Sequence, residues 1–347
     1  MEKILTIVVP TYNMEKYLDR CLSSLIVDVA RMELLEVLVV NDGSKDRSSE
    51  IAHLYENRFP NTFKVIDKVN GNYGSCINCG LKQAAGKYVK VLDADDYFDN
   101  NAFVEYISFL SSADVDFVFN GMSMVDETGA ALGKYCFEDR LGASKTLPFN
   151  EYAKIMSGAG VYMQNVAYRL DCLKSINYHQ TEGISYTDQE WLFVPLFTVN
   201  TVAYYPQSLY MYLVGRAGQT VDEETHLRNM WMEINVTKSI VKTYVSYKDE
   251  IEQADILQYV FGRMMARIRF IYSTYLLSAC ERLNINELIE FDNFLQSVDP
   301  ETYNKSNNIV GRFGIKYVRI WRRKFGESIL YYLLSLCHRF TKKNANV

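Results

Sequence analysis

Ile4-Leu-Thr-Ile-Val-Val-Pro-Thr-Tyr-Asn13 decides the fold. Six apolar or β-branched residues follow one another without polar alternation and stop at Pro10. A strand covered on both faces reads this way, because the helices of a parallel sheet leave neither face to water. Working outward, Glu15–Ile26 carries Tyr17, Leu18, Cys21, Leu22 and Leu25 at helical spacing. Val37–Val40 reads as a second strand, Asp46–Asn57 as a helix, Phe63–Ile66 as a strand, Ser75–Ala84 as a helix and Tyr88–Leu92 as a fourth strand. Alternation of this kind predicts an α/β domain with a mixed, mainly parallel, Rossmann-like sheet. Ligands of such sheets bind beyond the carboxyl ends of the strands. The site is therefore expected at Thr11–Asn13, Asn41–Ser44 and Asp93–Asp96.

Past residue 100 the pattern is mixed. Asn101–Ser111 reads as a helix, Val115–Asn120 and Met122–Asp126 as two strands, and Tyr152–Met156 and Trp191–Phe197 as helical pieces. Val202–Tyr205 and Leu209–Leu213 suggest a hairpin. From about Asp222 the periodicity is helical, with stripes such as Met230, Ile234, Val241 and Ile256, Tyr259, Val260, Met264. A Gly-containing turn at Gly215–Thr220 marks the boundary. The division expected is a catalytic domain over 1–218, with halves 1–100 and 101–218, and a C-terminal α-helical region over 219–347.

With 48% hydrophobic and 23% charged residues among 347, the balance is that of a folded globular chain rather than a disordered one. Seven scattered cysteines do not make a disulfide framework, and Cys76-x-x-Cys79 lacks a second pair or a flanking His. The N-terminus runs straight into a strand without signal-peptide architecture. The apolar run Ile329–Cys337 is about half of the roughly 20 residues a membrane span needs. A cytoplasmic protein is expected, at most peripheral at the inner face of a membrane.

The net charge of −5 is unevenly spread. From Val310 on, nine Lys and Arg stand against one acid, Glu327, so this segment carries +8 and leaves −13 for the body. An acidic body argues against a nucleic-acid partner. On a helix, Phe313, Tyr317, Ile320 and Trp321 share one face with cations on its flanks. That suggests contact of residues 310–343 with an anionic membrane surface, or equally a helix packed on the body.

Two acidic stretches follow strands. In Val40-Asn-Asp-Gly-Ser-Lys-Asp-Arg-Ser48 a turn leads into a helix, with Asp46 or Ser44 available to cap it. In Asp93-Ala-Asp-Asp96 three carboxylates within four residues repel one another. A divalent cation removes that conflict, and oxygen ligands of this kind suit Mn²⁺ or Mg²⁺ shared with substrate phosphates. Capping the helix near Asn101 would need only one acid.

Val9-Pro-Thr-Tyr-Asn13, Val40-Asn-Asp-Gly-Ser44, Asn70-Gly-Asn-Tyr-Gly-Ser-Cys-Ile-Asn-Cys-Gly80 and Asp93-Ala-Asp-Asp96, in that order, resemble the family 2 glycosyltransferases of the A-type fold, of the kind that builds bacterial cell-surface glycans. The resemblance covers about the first 100 residues. It implies that Pro10, Thr11, Tyr12 and Asn13 line the donor's base pocket and that Asp42 contacts base or ribose. It also implies that Gly71 and Asn78 belong to the donor segment, that Asp93 touches ribose or a metal-bound water, and that Asp95 or Asp96 holds the metal. Tyr73 departs from the pattern, standing where many relatives carry a basic residue. Ser185-Tyr-Thr-Asp-Gln-Glu-Trp191 resembles the family's acceptor-side motif. It makes Asp188 the general base, with Glu190 in reserve; the competing reading is that Thr187 or Asp188 caps a helix. Gly215-Arg-Ala-Gly-Gln-Thr220 resembles a later Arg-containing segment, which gives Arg216 to the donor's diphosphate.

The reaction implied is inverting transfer of a hexose or N-acetylhexosamine from a nucleotide sugar, UDP by default, to a hydroxyl of a glycan or polyprenyl-linked acceptor. The rivals are a sugar-1-phosphate nucleotidyltransferase, whose Gly-rich, Arg-containing loop is absent after the first strand, and a non-catalytic sugar-nucleotide-binding subunit.

Overall fold

The computed structural model describes residues 2–142, 146–216, 223–278, 282–311 and 314–323. The chain divides into two compact units, Met1–Ala217 and Gly218–Val347. Among the described residues the first unit is built on a ten-stranded sheet: β1 (Leu5–Thr11), β2 (Leu35–Asn41), β3 (Phe63–Asp67), β4 (Tyr88–Val91), β5 (Tyr97–Phe98), β6 (Phe117–Val125), β7 (Ala131–Tyr135), β8 (Thr146–Pro148), β9 (Val166–Arg169) and β10 (Thr201–Leu213). The strand order is β3-β2-β1-β4-β9-β6-β10-β5, with β7 on β6 and β8 on β10. The long ladders, β1 on β2 and β6 on β10, are parallel, and β9 enters antiparallel between β4 and β6.

The opening run of residues behaves as its composition demands. Leu5, Ile7, Val8 and Val9 are fully buried, and helices Leu18–Ser23, Ser48–Arg58 and Asn72–Gln83 follow β1, β2 and β3. Helix Asn72–Gln83 packs so closely on β1 that a Cβ on Gly80 would lie 2.6 Å from a Val8 methyl. Close packing of helix on strand is what a glycine at this place permits.

Two expectations are corrected. Val202–Tyr205 and Leu209–Leu213 form no hairpin; they are one strand, β10, whose register on β6 shifts on either side of Ser208. Likewise Val115–Asn120 and Met122–Asp126 lie largely in one strand, β6, passing through Gly121. The two errors have a common cause. A Cβ on Gly121 would lie 2.8 Å from the Gln207 carbonyl, so the glycine accommodates the bulge at Pro206-Gln207 rather than ending a strand.

Lys90, in the middle of β4, is fully buried. Its Nζ donates to Asn120 Oδ1 (2.7 Å), the Gln164 carbonyl (2.9 Å) and the Val166 carbonyl (3.2 Å). Three donors thus meet three acceptors, although burial pulls the amine's pKa well below its usual value. The contact ties β4 to β6 and to the start of β9. Lys90→Met is expected to destabilise the chain by about 3 kcal/mol in urea unfolding, because three buried acceptors lose their donor. An unchanged midpoint would show that the ammonium does not hold these strands.

The second unit is helical, with Met230–Tyr247, Ala254–Ser273, Ile285–Val298, Pro300–Ser306 and Tyr317–Arg323. The predicted stripes face inward at Met230, Ile234, Val241, Tyr259, Val260 and Met264. Tyr317 and Trp321 are buried within this unit. Arg322 donates to Asp292 Oδ1 (2.6 Å) and the Tyr303 carbonyl (2.9 Å), and its guanidinium lies 3.7 Å from the Tyr303 ring centre. These aromatic residues are therefore core of the helical unit and are not a face offered to a membrane. Residues 312, 313 and 324–343 of the basic segment lie outside the described residues. Among the described residues no helix is long and apolar enough to cross a membrane.

Candidate active site

The loops beyond β1, β2 and β3 are stitched to one another. Asn13 donates its N–H to Ser44 Oγ (3.0 Å) and accepts the Lys45 N–H at Oδ1 (2.7 Å). Asp46 caps by a different route from the one expected: Arg47 occupies the cap position, while Asp46 Oδ1 accepts from Ser48 and Oδ2 from the Glu15 N–H. Thr11 is buried and its carbonyl accepts the Asp42 N–H at 2.8 Å. Pro10 is partly buried on the same strand end, and Tyr12 remains 47% exposed at its rim.

Asp42 organises the next loop. Its Oδ1 accepts from Lys68 Nζ (2.6 Å) and the Gly71 N–H (2.9 Å), and its Oδ2 accepts from the Asn72 N–H (2.9 Å). A carboxylate has about four acceptor positions, and three of them hold this loop. Lys68 escaped the reading of the sequence although it directly follows β3; the strand-end rule applied to Asp67 would have found it.

At the end of β4 the three aspartates part company. Asp96 is buried, with Oδ2 accepting from Tyr210 OH (2.8 Å) and Oδ1 from the Leu213 N–H (2.7 Å). Burial first, then Asp95 and Asp93, pushes its carboxyl well up, against the pull of those two donors. Asp93 accepts from Tyr73 OH at Oδ1 (2.9 Å), and its own N–H donates to Tyr210 OH (3.0 Å). Burial and then the Asp95 charge push the Asp93 carboxyl up to about 7; Tyr73 opposes this, Asp188 adds to it and Arg216 opposes it. Asp95 forms an ion pair with Arg216 Nε through Oδ2, and its carbonyl accepts from Arg20 Nη2 (3.3 Å).

Asp188 opens the short helix Asp188–Trp191. Thr187, at the cap position, makes no side-chain cap bond, and Asp188 Oδ2 accepts from Gln189 Nε2 (2.8 Å). The Asp188 charge reaches Asp93, Tyr73 and Tyr212. The structure thus brings residues 93, 95, 188 and 216 into one electrostatic neighbourhood, from the ends of β4 and β10 and from the 188–191 helix.

Glu190 and Asn78 are engaged elsewhere. Glu190 is buried and accepts from the Thr181 N–H (2.7 Å) and hydroxyl (2.8 Å). Asn78 accepts the Gln180 N–H (2.8 Å) and donates to the Gln180 carbonyl (2.9 Å). Gly71 O accepts the Gly183 N–H (2.9 Å), and a Cβ on Gly74 would lie 2.1 Å from the Thr181 carbonyl. The helix that begins beside Asp42 is in this way bolted to the segment that leads to Asp188.

Backbone strain marks the same loops. Asn13 (φ 54°), Asn72 (φ 68°) and Tyr186 (φ 66°) adopt left-handed conformations. Asn tolerates this region, but a tyrosine there is an outlier costing about 1 kcal/mol or more. Tyr186 sits two residues before Asp188. Strain of this kind persists where surrounding contacts over-determine a loop, as they do in binding and catalytic sites.

Residues 6–133 match the profile of Glycosyl transferase family 2. An uncharacterized glycosyltransferase of Mycoplasma genitalium is 29% identical over 67% of this chain and 76% of its own length. A homolog of it in Mycoplasma pneumoniae is 41% identical over 29% of this chain; the match spans only about a third of that relative, 34%. Among solved structures, residues 1–349 of Staphylococcus aureus TarS in complex with UDP-GlcNAc align with a TM-score of 0.63 at 24% identity, covering 87% of this chain and 83% of that one. At that identity the likeness shows the fold, which is the A-type glycosyltransferase fold expected, followed by a helical region. With the ordered motifs at the strand ends, these findings place residues 6–133 among the family 2 glycosyltransferases.

Proposed function

We propose that the chain transfers a hexose or N-acetylhexosamine from a UDP-sugar to a hydroxyl of a glycan or lipid-linked acceptor, with inversion and with a divalent cation. The observation that carries this reading is that Asp93, Asp95, Asp188 and Arg216 share one electrostatic neighbourhood beyond the ends of β4 and β10. Pro10, Thr11, Tyr12 and Asn13 line the base side, and Asp42 meets base or ribose. The TarS structure, which holds UDP-GlcNAc and shares the fold, supports a UDP donor.

The residues fit Mn²⁺ or Mg²⁺. The Asp95 charge pushes the Asp93 carboxyl up, a conflict a cation relieves, and hard oxygen donors completed by phosphate oxygens suit these ions. Asp95 would hold the ion, because both oxygens of Asp96 already accept from Tyr210 and Leu213. A mannosyltransferase of Pyrobaculum calidifontis with the same fold, whose structure contains GDP-Man and Mn²⁺, supports cation use. When bound, the ion offsets charge gathering on the departing diphosphate.

The chain's own groups do the rest. Asp188 takes the proton of the acceptor hydroxyl as that oxygen attacks the anomeric carbon. With Asp188 as base the acceptor oxygen is itself the nucleophile, so the displacement is single and the anomeric centre inverts. Arg216 offers its planar fork to the diphosphate. Tyr73 orients Asp93 through the phenol hydrogen bond, and Tyr73→Phe is expected to raise the donor KM about 10-fold with little change in kcat, the loss of one hydrogen bond to a charged group. Steady-state kinetics over a donor series checks this.

The function itself is tested by incubating the full chain with UDP-, GDP- and dTDP-sugars and Mn²⁺ and measuring nucleoside diphosphate release. Slow cleavage of a UDP-sugar is expected even with water as acceptor. A chain that neither binds nor cleaves any of them with Mn²⁺ or Mg²⁺ would overturn the proposal.

A further inference from the structure

Given the donor, cation and base roles proposed above, we infer that the Tyr212 hydroxyl donates a hydrogen bond to the oxygen that leaves with the nucleoside diphosphate. Tyr212 stands one residue before the end of β10. β10 runs antiparallel to β5, with Tyr210 opposite Phe98 and Met211 opposite Tyr97. One more step along that register sets Tyr212 across from Asp96. The two segments stay close past the end of β5, where the Leu213 N–H donates to Asp96 Oδ1 (2.7 Å). Side chains two apart on a strand share a face, so Tyr212 projects on the face of Tyr210. The Tyr210 hydroxyl donates to Asp96 Oδ2 (2.8 Å) and accepts the Asp93 N–H (3.0 Å). Tyr210 is fully buried and lies under the acids, whereas Tyr212, further along the strand, is only partly buried.

Four carboxylates act on this phenol. Burial first, then the Asp96, Asp93, Asp95 and Asp188 charges in that order, push it up to about 12, so it keeps its proton. Among the described residues its hydroxyl donates to none of these acids; Asp96 takes Tyr210 and the Leu213 N–H, and Asp93 takes Tyr73. A diphosphate entering beside so many carboxylates needs donors around its oxygens, and a neutral phenol supplies one without competing with a cation for the acids. Position selects the oxygen. Asp95 is the acid proposed for the diphosphate side and Asp188 the base proposed for the acceptor hydroxyl. A group in the field of both stands between phosphate and acceptor, where the anomeric carbon parts from the phosphate oxygen. There the acceptor oxygen bonds to the anomeric carbon and yields its proton to Asp188, while the electron pair of the broken bond stays on the β-phosphate oxygen. Tyr212 keeps its own proton throughout. Its hydrogen bond strengthens as charge gathers on that oxygen, so it favours the transition state over the bound donor.

Tyr212→Phe removes the hydroxyl and keeps the ring. The full chain and this variant are mixed with UDP-Glc, UDP-Gal, UDP-GlcNAc or UDP-GalNAc and Mn²⁺, water serving as acceptor. UDP release is followed in single turnovers, UDP affinity by isothermal titration and folding by thermal melts. For every donor that the parent cleaves, the variant loses about 100-fold in rate, the size of a lost oxyanion donor. UDP binds within about 3-fold of the parent, because the bond matters most in the transition state, and the melting temperature is kept. An unchanged rate overturns the inference. So does a loss of UDP affinity as large as the loss of rate, which marks uniform binding of the diphosphate. A loss confined to one of the sugars overturns it as well, since the hydroxyl then reads the sugar and not the leaving oxygen. If the parent cleaves none of the four, the UDP-donor reading itself fails and the role of Tyr212 with it.

Discussion

Asp188→Asn lowers sugar transfer by about 10³-fold while UDP binding and the melting temperature stay close to the parent's. The magnitude is that of a lost general base, which contributes 10²- to 10⁴-fold. Binding survives because the residues proposed for the base and ribose, Thr11, Asn13 and Asp42, are held by hydrogen bonds among their own loops. The substitution keeps size and hydrogen bonding but removes the ability to accept a proton. Glu190→Gln provides the contrast. Glu190 accepts two bonds from Thr181 and is buried, so its loss loosens the 180–190 segment and lowers the melting temperature along with activity. Single-turnover transfer, UDP titration and thermal melts on both variants separate the cases. An Asp188→Asn protein that transfers sugar at the parent rate removes the base from this residue.

The contrast between these two acids illustrates what the sequence could carry. Both stand in Ser185-Tyr-Thr-Asp-Gln-Glu-Trp191, three residues or fewer apart, and spacing alone does not say which faces the site. That depends on Tyr186, whose left-handed backbone turns the helix start, and on Thr181, brought in from a neighbouring loop. The same division runs through the fold. β1, β2 and β4 were legible because each is a buried, largely apolar run cut off by polar residues, whereas β5, two residues long, was not read. β9 was not: Val166–Arg169 is four residues long and takes its place only by antiparallel pairing with β4 and β6. β10 was misread because Pro206-Gln207 looks like a turn until β6 offers Gly121 to receive it. The aspartate cluster was legible as a group, but its division of labour was not. Tyr210, 114 residues from Asp96, settles which carboxylate is occupied by the protein, and no local pattern announces that pairing.

Asp95→Ala and chelation should have the same effect, each lowering transfer on the order of 10³-fold, as for loss of an electrostatic stabiliser of the transition state. If one carboxylate holds the ion, the two losses are one loss. A chelator added to Asp95→Ala then subtracts little more, because effects acting through a single interaction do not add. UDP binding in chelator should behave oppositely to transfer. In the parent the Asp95 carboxylate competes with the diphosphate for the Arg216 guanidinium, so Asp95→Ala binds UDP at least as tightly as the parent when no metal is present. Asp96→Asn is the control for mere damage to the loop. Its carboxylate receives Tyr210 and the Leu213 N–H in the core, so its substitution lowers the unfolding midpoint while leaving the proposed ligand of the ion in place. Transfer assays with and without chelator, isothermal titration with UDP, and thermal melts read all three quantities. A parent enzyme indifferent to chelation, or an Asp95→Ala enzyme at full rate, would place the cation elsewhere or dispense with it. Full dependence on chelation together with loss in Asp95→Ala and retention of UDP binding is the pattern that only a cation held by Asp95 produces.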